Sequence, residues 1–122
     1  MSQARFETEL APVPEMPEAG TIHLRGRVTL EDAAEARQTL LEELDKIGGT
    51  KVVFELSGIE AIDTSGAAVL AEALRVGLDR GQRVLLCSPS AAVMEIFRLA
   101  GFQDVLDHCC SDPQETWRRL QD

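Results

Sequence analysis

One strand-like run that gives way to a helix-like run through small polar residues restricts this chain more than any other feature. Lys51-Val52-Val53-Phe54-Glu55-Leu56 concentrates β-branched and aromatic residues as a buried strand should. A connection, Ser57-Gly58-Ile59-Glu60-Ala61-Ile62, leads to Asp63-Thr64-Ser65-Gly66. The Asp63 carboxylate suits a helix N-cap, because it can accept a hydrogen bond from an otherwise unpaired amide of the first turn. Beyond it Val69, Leu70, Ala73, Leu74, Val76 and Leu78 recur at three- and four-residue spacing, which predicts a helix over 65–80 with one stripe against a core. Ser65 then lies in the first helical turn, where free amides and the positive end of the helix dipole favour negative charge.

The flanking segments continue the alternation. Phe6-Glu7-Thr8-Glu9-Leu10 reads as a strand, and the following stretch, with Pro12, Pro14 and Pro17, reads as an extended loop because proline supplies no backbone donor. Thr21-Ile22-His23-Leu24-Arg25 alternates again, with Thr21, His23 and Arg25 expected outward, and Gly26 permits a bend or bulge before Val28. Thr29 with Asp32 reads as a variant capping box, and Ala33, Ala36, Leu40, Leu41, Leu44 and Ile47 mark the inner face of a helix stopped by Gly48-Gly49. Glu31, Glu35, Glu42, Glu43 and Asp45 form a solvated face rather than a metal site.

In the second half Arg83-Val84-Leu85-Leu86-Cys87 is a further strand. Pro89 or Ser90 starts a helix through Val93, Ile96, Phe97 and Ala100 that ends at Gly101, and Phe102, Val105 and Leu106 return to the core. Asp112-Pro113 opens a last helix with Trp117 and Leu120 as packing residues. The first two strands are close enough in sequence to pair antiparallel, and helices separate the later ones as parallel crossovers require. The expected class is α/β: one domain over 1–122 with a mixed sheet of four to five strands and helices packed against it, residues 1–20 adding a strand and a Pro-rich loop.

Composition narrows the function. A chain of 122 residues, 44% hydrophobic and 27% charged, has room for one core. Its net charge of −9 opposes nucleic acid and anionic membrane surfaces. No apolar run approaches the roughly 20 residues a bilayer demands and no signal segment is evident, so a cytoplasmic protein is expected. Cys87, Cys109 and Cys110 are an odd set with no spacing for a disulfide framework or zinc. No phosphate-binding loop is present. A nucleophile elbow needs glycine two positions on either side of its serine, whereas Ser65 has Asp63 and Ala67, and only His23 and His108 offer imidazoles. These residues therefore disfavour a serine hydrolase and a nucleotide-binding enzyme and suggest no cofactor.

The run Ala61-Ile62-Asp63-Thr64-Ser65-Gly66-Ala67-Ala68-Val69-Leu70 after the strand resembles the STAS domain of bacterial anti-sigma factor antagonists. Leu24-Arg25-Gly26-Arg27-Val28 resembles the family's second strand and turn, and Ser88-Pro89-Ser90 with Val93, Ile96, Phe97, Leu99, Ala100 and Gly101-Phe102 resembles its later strand-to-helix passage, so that the likeness covers about 21–120. The resemblance implies the same mixed sheet and a chain that is no enzyme, and it assigns phosphorylation to Ser65, with Thr64 the weaker candidate. Asp63, Thr64, Gly66, Ile62 and Glu60 become candidates for partner binding or support of the switch. The implied partners are an anti-sigma factor that is also a serine kinase, and a phosphatase; the unmodified protein, expected to be a monomer, would free a sigma factor and so regulate transcription. A constitutive subunit docked on the ATPase of a lipid-trafficking transporter is the alternative the same family implies, and a small serine-nucleophile enzyme a third reading. Many family members carry an acidic pair after the glycine equivalent to Gly26, where this chain has Arg27-Val28-Thr29.

Overall fold

Strands joined through amphipathic helices must return in the same direction, and here they do so three times. The computed structural model describes residues 5–122. The elements are β1 (Glu7–Leu10), β2 (Gly20–Val28), α1 (Ala33–Asp45), β3 (Lys51–Ile62), α2 (Thr64–Asp79), β4 (Arg83–Cys87), α3 (Ala91–Leu99), α4 (Gln103–Asp107), β5 (Cys109–Cys110) and α5 (Pro113–Leu120). The sheet has five strands in sequence order, β1 antiparallel to β2 and every later pair parallel.

This order decides where the helices go. Parallel crossovers are right-handed, and a sheet that grows in one direction through such crossovers puts all its connecting helices on one face. That face holds the main core, where Ile22, Leu24, Phe54, Leu56 and Leu86 of the strands meet Leu40, Leu44, Leu70, Leu74, Phe97 and Val105 of the helices. The opposite face must be closed by something else. α5 supplies Leu120 and Trp117, and the segment before β2 supplies Met16 and Ala19, which together cover Val53, Leu85, Cys87 and Cys110. Lys51 extends its ammonium over the Trp117 ring, 5.1 Å from the centroid, as a cation–π contact.

Several sequence expectations are corrected. The Pro-rich stretch is a strap rather than a plain extended loop: Met16 donates to the Val13 carbonyl at 2.8 Å, and its side chain is 1% exposed. Thr21 does not face outward. It lies opposite Val53 on the strapped face and is buried, with no hydrogen-bond partner for its hydroxyl among the described residues. His23, half-buried, donates through Nε2 to the Ala11 carbonyl at 3.0 Å. Strand alternation cannot distinguish these positions from solvated ones, because the cover comes from the strap that precedes the strand. Residues 57–62 are a continuation of β3 and not a connection. α4 and β5, each very short, have no counterpart in the sequence expectation, and residues 1–4 of the expected N-terminal segment lie outside the described residues.

The expected bend at Gly26 is present: φ is +88°, and the β2–β3 register slips on either side of it. A Cβ there would fall 1.9 Å from the Arg5 carbonyl oxygen. Because Met16 is the strap's deepest apolar anchor, Met16→Ala should lower the unfolding free energy by about 2–4 kcal/mol in urea denaturation. A loss below about 0.5 kcal/mol, the level of an ordinary surface change, would mean that the strap contributes little to that face.

Candidate functional site

The site is built where β3 ends and α2 begins. Asp63 keeps an extended backbone (φ −126°, ψ −172°), so the helix starts immediately after it at Thr64. Its Oδ1 accepts a hydrogen bond from the Gly66 amide at 3.0 Å, the N-cap geometry that the sequence pattern predicts. Its Oδ2 accepts from the Leu30 amide at 2.9 Å, in the turn that joins β2 to α1. One carboxylate therefore ties the first turn of α2 to a loop more than thirty residues away.

Burial tends to raise the Asp63 pKa, but hydrogen bonds from the amides of Gly66, Leu30 and Ser65 favour the ionised form and together hold it below the usual aspartate value. At neutral pH the group is an anion, and each of its oxygens already accepts a backbone amide. Gly66 sets the depth of the helix. A Cβ at that position would lie 1.9 Å from the Val28 carbonyl oxygen and 2.3 Å from the Val28 Cγ1, so α2 packs against the end of β2 at a distance that only glycine permits.

Thr64 is exposed and Ser65 half-exposed on the rim formed in this way. Ile62 is half-buried, and Glu60 is exposed. The structure thus gathers Glu60, Ile62, Asp63, Thr64, Ser65 and Gly66 at one end of the sheet. Sequence reasoning missed Leu30. Held by Asp63 at its amide, this residue is 72% exposed, an isolated large apolar side chain beside the helix start. An apolar residue set within Thr29-Leu30-Glu31-Asp32, off the helical stripe, was its available signal. The expected capping box at Thr29 does not form. The Thr29 hydroxyl donates to the Asp32 carboxylate at 3.2 Å, and Asp32, itself the α1 N-cap, makes no side-chain bond to a helix amide. Arg27, where the family pattern has acid, pairs in register with Ala61, and its Nε is buried without a hydrogen-bond partner among the described residues.

Elsewhere the chemistry-bearing side chains are engaged in structure. His108 donates through Nδ1 to the Asp104 carbonyl at 2.6 Å, and with His23 bound to Ala11 neither imidazole hydrogen-bonds Ser65. Burial, and next the neighbouring Cys110, pushes the Cys109 thiol up to about 12, while Arg119 opposes this. Burial likewise raises Cys87 and Cys110. Such thiols are poor nucleophiles at neutral pH. Among the described residues no group of three or more His, Cys, Asp or Glu side chains could hold a metal ion, and no helix is long and apolar enough to cross a membrane.

Comparison with known proteins places this geometry in context. The family model described as "Mlab, STAS domain" matches residues 13–107. The anti-sigma factor antagonist SpoIIAA, a Bacillus protein, superposes in its unphosphorylated form with a TM-score of 0.62 at 17% identity, over 85% of this chain and 86% of that one. A serine-to-glutamate variant of Moorella thermoacetica RsbS gives 0.71 at 16% identity, over 94% and 95%. The murine anion transporter Slc26a9 gives 0.76 at 16% identity, over 97% of this chain but 22% of the transporter. No curated protein matches the sequence significantly.

Removing the Asp63 side chain strands two amides. Asp63→Ala should cost about 1–2 kcal/mol in denaturant unfolding at neutral pH, the upper range of a lost cap. The sign of the pH effect follows from the depressed pKa: stability from this carboxylate is present above its unfolded value of about 3.9 and is lost as pH falls through the lower folded value. Asp63→Asn should therefore show a shallower loss of stability than the wild type below about pH 4. A parallel acid limb in the two proteins would contradict this.

Proposed function

Because the chain belongs to the STAS domain family, we propose that it works as a binding module of the anti-sigma factor antagonist kind, switched by phosphorylation at Ser65. The observation that carries this reading is the half-exposed Ser65 in the first turn of a sixteen-residue helix, beside an aspartate that has already taken the neighbouring amides. Unmodified, the rim of Thr64, Ser65 and Leu30, set at its depth by the buried Gly66, offers a partner small groups around one apolar knob. The proposed partner is an anti-sigma factor with serine kinase activity, whose capture frees a sigma factor in the cytoplasm. A separate phosphatase restores the active form, and the chain itself catalyses nothing.

Phosphate on Ser65 adds about −1.5 to −2 charge at neutral pH. In an open helix N-terminus that charge would be accommodated by free amides. Here Asp63 occupies the Gly66 amide, and Glu60 adds a further acid nearby in sequence, so the dianion is under-compensated and must be desolvated when a partner approaches. A thousandfold loss of affinity requires about 4.1 kcal/mol, within the range of burying one uncompensated charge. Repulsion between phosphate and the Asp63 carboxylate, two residues earlier, adds to the charge that a partner must desolvate.

A second reading is a constitutive subunit docked on a transporter ATPase without a phosphate cycle. It draws support from the description of the matching family model and from neighbours that are a murine anion transporter and a sulfate transporter family protein of Wolinella succinogenes. The two readings separate in one experiment. In pull-downs from the native cell with wild type, Ser65→Ala and Ser65→Asp, a switched antagonist retains its partner with alanine and loses it by roughly a hundredfold or more with aspartate, about 2.7 kcal/mol. Mass spectrometry after incubation with the captured kinase and ATP should place phosphate on Ser65. Equal capture by all three forms, with a transporter ATPase as the partner, would favour the second reading.

A further inference from the structure

β4 is shorter than the strand beside it. It pairs with β3 only over Lys51–Glu55, and at Ser88, which adopts a left-handed backbone with φ +59°, the chain leaves the sheet for α3. β3 continues to Ile62 with β2 as its one ladder partner. Among the described residues no other backbone–backbone hydrogen bond reaches residues 57–62. Alternate residues of a parallel strand direct their N–H and C=O groups to opposite sides. The side of β3 away from β2 therefore carries unpaired backbone groups, the arrangement that templates another strand.

A groove of about 390 Å³ runs along this edge. Ile59, Glu60, Ala61 and Ile62 line it in unbroken succession, and α3 forms the far wall through Ala92 and Ile96. Side chains of a strand alternate between faces, so four consecutive residues can share one groove only if it opens on the strand's edge. Its lining is mainly apolar, while its rim is acidic. Glu60 is exposed and belongs to no ion pair among the described residues, whereas Glu95 is engaged by Arg98. The net charge of −9 adds to the same preference.

We propose that this groove takes an extended segment of a partner protein, which continues the sheet beyond β4 by pairing with the open edge of β3, sets short apolar side chains against Ile59 and Ile96, and places a basic residue at Glu60. Backbone bonds would supply binding and the alternate side chains selectivity, as in other strand-addition complexes. Self-association through this edge is obstructed, because each copy's edge is walled by its own α3 and admits a single strand but not the edge of a folded sheet. The groove does not include Ser65, so the inference goes beyond the proposed switch, and failure of either leaves the other standing.

The test is NMR titration of the unphosphorylated, 15N-labelled protein with the blocked peptide Lys-Val-Thr-Val-Thr-Lys and its counterpart with glutamate at both ends. The expected result is amide shifts confined to residues 57–62 and 90–96, slowed hydrogen exchange along 57–62, and at least about fivefold tighter binding of the lysine peptide, the scale of one partly exposed ion pair. Glu60→Lys should reverse that preference. Ala92→Trp, an exposed position that fills the groove, should abolish the shifts while its thermal midpoint stays within about 3 °C of the wild type, as an ordinary surface substitution does. Shifts centred on α2, no shifts at millimolar peptide, equal affinity for both peptides, or slow tumbling from a dimer across this edge would each overturn the proposal.

Discussion

The Asp63 carboxylate is the interaction on which the functional end of this domain depends. One oxygen fixes where α2 begins and the other fixes the turn before α1, two segments more than thirty residues apart in the chain. A cap is ordinarily a local device that satisfies an amide the helix cannot. Here the second carboxylate oxygen also holds Leu30 at its amide, so the order of the β2–α1 turn and the charge state of one side chain are linked.

That arrangement rests on topology. A sheet whose strands follow chain order stacks its crossover helices on one face, which leaves the other face to whatever chain remains. The remaining chain is modest: an eight-residue C-terminal helix and a proline-bearing strap with Met16 at its centre. The same face carries the buried Thr21 hydroxyl, which has no hydrogen-bond partner among the described residues. The helical face is correspondingly well filled, and it is against this face that the start of α2 is set.

Sequence reasoning read the helical face well because its signals are periodic. The stripes of α1 and α2, apart from Leu78, which is exposed, the caps Asp63, Ser90 and Asp112, and the bulge at Gly26 are all written in local spacing. What it misread depends on contacts distant along the chain. Thr21 and His23 alternate as solvated positions do, and only the strap and the Ala11 carbonyl reveal otherwise. Residues 57–62 resemble a loop because they carry serine, glycine and glutamate, yet pairing with β2 keeps them extended. At the site, Asp63 was legible as a cap, whereas its second bond to Leu30 was not, because no local pattern encodes an amide that lies across the fold.

The contact between Gly66 and Val28 carries a consequence for how such a surface can signal. With no room between helix and strand for a single methyl group at Gly66, the first turn of α2 cannot settle any closer to β2. Whatever a partner senses there must be a change of chemical character on an immobile outline, closer to a repainted keyhole than to a moved bolt.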